Sequence, residues 1–201
     1  MTAWAIRGFR PSDARRLTEI NPTFVSPTTL RVHITGAGLQ VGWRLEEEAL
    51  AEPYDKGAAY DLDARDVEEI SERAERDNCL VLVVEAGGRL IGLYDLEITD
   101  WNNTGWLWNL LVDVRWRGRG LGRALFQRGL AWAGEHNLRA IFIETQTNNV
   151  PACRFYHHMG CHLTSIHDEY YTNRDIDAGE VAVLWSYTLS DTAPDAFTER
   201  E

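Results

Sequence analysis

Residues 115–126 read RWRGRGLGRALF, Arg and Gly in alternation running into a helical pattern. Glycines lack a Cβ, so a backbone built from them can approach an anion closely. The amides of such a turn, joined to a helix N-terminus, carry positive potential suited to a diphosphate. A nucleic-acid patch and a merely charge-decorated helix start are the other readings of this composition. Two well-known phosphate loops do not fit. A P-loop closes on Gly-Lys-Ser/Thr, whereas this helix opens Gly120-Leu121-Gly122-Arg123. The dinucleotide pattern G-x-G-x-x-G ends on Arg123 when counted from Gly118, and on Leu125 when counted from Gly120.

Other side chains could also do chemistry. His157, His158, His162 and His167 invite a metal reading, but their spacing matches no common site and no metal is expected. Trp101, Trp106 and Trp108 could line an amine pocket through cation–π contact, or fill a groove between strands and a helix. Asp95, Glu97 and Asp100 could attract a cation or form a solvated sheet face. Trp101, Trp108, Asp100 and Tyr171 are the substrate candidates.

The elements that must position these residues follow from periodicity and turn signals. Residues 3–9 alternate as a strand, and 11–20 follow as a helix with Ser12 or Asp13 as its N-cap. Segments 29–34 and 39–45 flank TGAG as a hairpin, and the polar stretch 46–61 reads as an exposed connection. Residues 64–77 form an amphipathic helix with Val67, Ile70 and Ala74 on one stripe. Two β-rich runs within 79–98, joined by Ala-Gly-Gly-Arg, make a hairpin. Strand 105–114 leads into the Arg/Gly turn and a helix over 120–136, with Leu121, Ala124, Leu125 and Trp132 on its apolar side. Strand 140–145, a short helix over 150–160 and strands 161–166 and 180–189 complete the domain, before a flexible tail at 191–201. The order implies one α/β (α+β) domain over 1–190, around a single mixed, mostly antiparallel sheet flanked by helices.

The 201 residues suffice for one core, and no apolar run is long enough to span a membrane. Three cysteines at unpatterned spacings suggest free thiols and a cytoplasmic location. A net charge of −11 disfavours nucleic acid and favours a cationic partner.

Arg117-x-x-Gly120-x-Gly122 after an apolar strand resembles the acyl-CoA signature of the GNAT superfamily of N-acyltransferases, Gln/Arg-x-x-Gly-x-Gly/Ala. Downstream, NNVPACRFYHHMGC (148–161) resembles the family's Asn-x-x-Ala-x-x-x-Tyr-x-x-x-Gly-Phe segment through Asn149, Ala152, Tyr156 and Gly160. Cys161 stands where Phe is usual. More narrowly, IETQTNNVPACRFYHHMG, EVAVLWSYTL and NPTFVSPTTLRVHITGAGLQV resemble the streptothricin (nourseothricin) acetyltransferases, patchily from about Phe24 to Leu189. Those enzymes carry a Glu-Asp pair where this chain has Trp108-Asn109.

The resemblance implies a GNAT fold with a splayed central strand pair and acetyl-CoA as co-substrate. It implies that Arg117, Gly118, Arg119, Gly120, Leu121, Gly122 and Arg123 cradle the pyrophosphate, and that Leu110, Leu111 and Val112 hold the pantetheine and polarise the thioester. Asn149 would bond the pantetheine arm, or else simply form a turn. Tyr156 would protonate the leaving thiolate; a core Tyr is the plainer reading. Glu144 matches the general base of some relatives, or it binds local backbone or Arg139. The acceptor would be a small-molecule or peptide amine: a streptothricin-like antibiotic, a polyamine or a protein N-terminus. A catalytically silent CoA-binding module is the alternative class, and the family leaves a homodimer open.

Overall fold

A computed structural model describes residues 3–189, so the tail expected over 191–201 lies outside the described residues. In chain order the elements are β1 (Trp4–Gly8), β2 (Val25–Thr35), β3 (Gly42–Asp55), α1 (Ala64–Ala74), β4 (Cys79–Ala86), β5 (Arg89–Thr99), β6 (Thr104–Val112), α2 (Leu121–Glu135), β7 (Ala140–Gln146), α3 (Val150–His158), β8 (His162–His167), α4 (Asp175–Ala178) and β9 (Ala182–Thr188). The chain is mixed α/β, and its β1–β4, β4–β5, β5–β6, β8–β9 and β2–β3 pairings are all antiparallel. Among the described residues no helix is long and apolar enough to cross a membrane. The described residues form two compact units, one of residues up to Thr23, Ala58–Phe142 and from Tyr187 on, the other of Phe24–Gly57 and Ile143–Ser186.

In the first unit the strands run in the order β1-β4-β5-β6. Its core joins Leu17, Ile20, Ile70, Val81, Val83, Leu90, Leu93 and Leu111, with Val67 and Ala74 of α1 packed against it. The expected α1 stripe therefore faces the core. The segment expected as a capped α-helix is a 3-10 helix over Pro11–Glu19. Asp13 is not its N-cap. It is the third residue of the helix, and its buried carboxylate reaches back to the amide of the N-cap Arg10 at 2.9 Å, as in a capping box, while taking Arg7 Nη1 at 2.6 Å. On α2 the buried stripe is Leu121, Leu125, Phe126, Gly129 and Ala133. Trp132 instead lies half-exposed against His136, ring centroids 4.1 Å apart. Gly129 seats the helix: a Cβ there would lie 1.8 Å from the hydroxyl of the fully buried Tyr94 on β5.

In the second unit, β2 and β3 form a long hairpin, and β8 and β9 a second antiparallel pair. Most of 46–61, expected as an exposed connection, is strand: β3 continues to Asp55. Its acidic run is held across the hairpin by charge. Arg31 Nε on β2 meets Glu48 at 2.6 Å, and along β3 itself Arg44 Nη1 meets Glu46 at 2.9 Å. Pro27 does not break β2; it sits where the register shifts between Ser26 and Thr28, as an irregularity allows a residue without an amide donor.

Candidate active site

Within the first unit, the end of β6 and the start of α2 are joined by a turn built around Asp113. This carboxylate is fully buried. It accepts the amides of Asn21 (3.2 Å) and Arg115 (3.0 Å) and the Arg115 guanidinium (2.9 Å). Those donors hold its carboxyl below the ordinary range against the opposing effect of burial. Arg117 then straps the turn down, donating to the carbonyls of Val112 (3.2 Å) and Pro22 (2.5 Å). Arg119 stacks on Trp116, 4.8 Å from the ring centroid.

Gly118 and Gly120 take left-handed backbone conformations, φ +72° and +83°, with open space where a Cβ would stand. Gly120 is the N-cap of α2, and the helical ladder begins with the Ala124 amide on the Gly120 carbonyl at 2.9 Å. Among the described residues the amides of 118–123 bond to nothing. A helix N-terminus leaves its first amides unmatched, and here the positive-φ turn adds more. The cradle fits a diphosphate by the chemistry of its donors: unclaimed N–H groups at the positive end of a fifteen-residue helix.

Earlier in β6, Asp95 pairs with Asn109 and Leu96 with Leu107, so Trp108 is an extra, bulged residue. A polar network surrounds the bulge. Asp95 is fully buried and takes Arg73 Nη2 at 2.8 Å and Asn109 Nδ2 at 3.2 Å. Burial pushes the Asp95 carboxyl up, and Arg73 opposes that. The Arg73 guanidinium also lies 5.1 Å from the Trp108 ring centroid, while Trp108 Nε1 donates to Glu97 at 2.8 Å. Asp95 and Glu97 are thus not a free solvated face. Asp100 lies past the strand, in an exposed 3-10 turn beside Trp101.

Within the second unit, β7 delivers Glu144 and the following turn delivers α3. Thr147 fixes that turn: its amide donates to Val181 O at 2.9 Å, and its carbonyl accepts the Leu30 amide at 3.0 Å. Asn149 is buried and caps α3, accepting the Ala152 amide at 3.2 Å, with Pro151 in the first turn. Tyr156 is buried on α3 beside Phe155, with ring centroids 5.3 Å apart. Glu144 is half-buried. It does not engage Arg139, whose guanidinium goes to Asn102 O at 2.8 Å. Instead Glu144 Oε1 accepts the Tyr171 hydroxyl and Gln146 Nε2, the latter at 3.2 Å. Burial raises the Glu144 carboxyl above its ordinary value, while these two donors pull it back.

A family model described as acetyltransferase (GNAT) family matches residues 43–161, more than half of the chain. The chain belongs to that family. This acetyltransferase is 29% identical to streptothricin acetyltransferase A of Bacillus subtilis strain 168 over 150 residues, 72% of this chain and 79% of that protein. It is 36% identical to the streptothricin acetyltransferase of Escherichia coli over 107 residues, 53% of this chain and 60% of that one. A crystal structure of nourseothricin acetyltransferase superposes with a TM-score of 0.78 at 25% identity, covering 94% of this chain and all of the other. The acetyltransferase is an enzyme of the N-acetylating class that the sequence motifs indicated.

In this acetyltransferase the structure gathers residues 117–123 into one turn and Glu144, Gln146 and Tyr171 into one hydrogen-bonded group. Tyr171, expected as a substrate residue, has its hydroxyl on Glu144. Trp108 is tied to Arg73 and Glu97, while Trp101 stands 78% exposed. Among the described residues no group of three His, Cys, Asp or Glu is placed to hold a metal ion. Sequence reading missed Asp113, Arg73 and Gln146. Only Asp113 carried a signal: a carboxylate directly after an apolar strand and two residues ahead of an Arg.

Proposed function

We propose that this enzyme transfers an acetyl group from acetyl-CoA to a primary amine of a polycationic, streptothricin-like antibiotic. The observation that carries the reading is the run of unclaimed amides at 118–123, a diphosphate cradle in a chain of this family. In this reading Glu144 receives a proton from the incoming ammonium, directly or through one water, since a Lys-type amine with pKa near ~10.4 arrives charged. The amine nitrogen then bonds to the acetyl carbon and sheds its second proton to solvent as the carbon–sulfur bond breaks, and Tyr156 donates a proton to the departing thiolate and is reprotonated from solvent. Amides near Leu110, Leu111 and Val112 polarise the thioester carbonyl, and Asn149 meets the pantetheine arm with its amide group.

Direct attack, without an acyl-enzyme, is supported by the cysteines. Burial pushes the thiols of Cys153 and Cys161 up to about 12 and that of Cys79 up to about 11, so each stays protonated at neutral pH. The net charge of −11 favours a cationic acceptor. Trp108-Asn109, in place of the acidic pair of the streptothricin enzymes, favours a second reading, acetylation of a polyamine or a protein N-terminus. Acetyl-CoA turnover against a panel of streptothricin, polyamines and peptides, scored by product mass, tests both. Tight acetyl-CoA binding with no amine acetylated would leave the non-catalytic module instead.

A further inference from the structure

Tyr171 lies in the turn between β8 and α4, and that turn is clamped. The buried Asp175 carboxylate accepts the amides of Tyr171 (2.9 Å) and Thr172 (2.7 Å) and the Thr172 hydroxyl (2.6 Å). The clamp sets the Tyr171 backbone, and its hydroxyl donates to Glu144 Oε1, the oxygen that also accepts Gln146 Nε2. Among the described residues no donor reaches Oε2 of Glu144. We infer that Tyr171 is a positioning residue for Glu144: with Gln146 it occupies Oε1 and thereby assigns proton acceptance from the amine to Oε2. The inference rests on the reading of Glu144 as the base.

The surrounding groups are consistent with that division. Burial first, and then the Glu144 charge, raise the Tyr171 phenol, so it remains a protonated donor across the working pH range. Lys56 and Glu180 form a pair joined at 2.7 Å and act on Glu144 in opposite directions, Glu180 raising its carboxyl and Lys56 lowering it. Tyr170 and Cys153 also lie in its field, and both are raised by burial and hence neutral. Among the neighbours, Tyr171 and Gln146 are the donors that stabilise the charged carboxylate.

The test is Tyr171→Phe, measured as kcat/KM against pH with an amine that the unaltered enzyme acetylates. Loss of one hydrogen bond to a charged group moves the acid limb to higher pH by about one unit. The high-pH plateau is retained, because the base is still present once ionised. Asp175→Asn, which leaves one acceptor oxygen for the amides of Tyr171 and Thr172 that now use two, loosens the clamp and moves the limb the same way by less. A uniform loss of activity with the limb in place would overturn the inference. A second readout needs no turnover: carbon-13 titration of labelled glutamates in the full chain, with Glu144→Gln to assign the signal. If no amine is accepted, the functional reading fails. The titration still decides the Tyr171 contact, since an unmoved Glu144 signal in Tyr171→Phe refutes it.

Discussion

Gly120 separates the fold from the proposed cofactor cradle, because a substituent there meets no neighbour. Its backbone lies at φ +83°, ψ 0°, and a Cβ would find open space. Gly120→Ala therefore costs only the left-handed conformation, ~1–2 kcal/mol for a residue with a side chain. A domain of this size loses about 2–4 °C per kcal/mol, so the melting temperature falls by about 2–8 °C. Acetyl-CoA at a hundredfold its Kd should add ~2.7 kcal/mol to the unaltered protein, about 5–11 °C on the same scale. Gly120→Glu pays the same conformational cost and also sets a carboxylate among the amides of 118–123. Its acetyl-CoA shift should vanish. Gly134→Glu is the control: it places the same charge at the far end of α2, at a site with open space and no positive φ, and should keep the ligand shift. Thermal melts with and without acetyl-CoA read all four proteins. A full ligand shift in Gly120→Glu would refute the cradle.

Gly129→Ala should destabilise by ~1–3 kcal/mol or more in urea titrations despite its better helix propensity, because the new Cβ overlaps the buried Tyr94 ring. Arg73→Ala strands the fully buried Asp95 with Asn109 alone and should cost about 3–5 kcal/mol. The loss should shrink in acid, where Asp95 protonates, and a loss independent of pH would count against a stranded charge. Glu144 has a folded-state pKa above its unfolded one, so its ionisation weakens the fold as pH rises from the ordinary carboxylate value through the raised one. Glu144→Gln should then melt no lower than the unaltered protein at pH 8 while transferring little acetyl. A clearly lower melting temperature at that pH would show that the charge stabilises the fold instead.

Local sequence determined the elements that bury a regular face. The apolar stripe of α1, the Ala-Gly-Gly-Arg hairpin and the β6–turn–α2 passage were all legible, because periodicity and glycine chemistry act over a few residues. Arg117-x-x-Gly120-x-Gly122 and the Asn149–Tyr156 spacing carried the family for the same reason. β3 was not legible beyond Leu45, since a two-stranded hairpin exposed along much of its length shows no alternation. Its acidic run looks like a connection until partners such as Arg31 lie across from it. What each charged residue does was likewise settled by distance through space. Asp95 and Arg73 are 22 positions apart and Tyr171 and Glu144 are 27, separations over which no sequence pattern acts. The sequence by itself determined which residues could do chemistry. The tertiary structure alone decided which of them are neutralised, as Asp95 is by Arg73, and which keep an oxygen without a donor among the described residues, as Glu144 does, because burial and hydrogen-bond partners set the state of a charge.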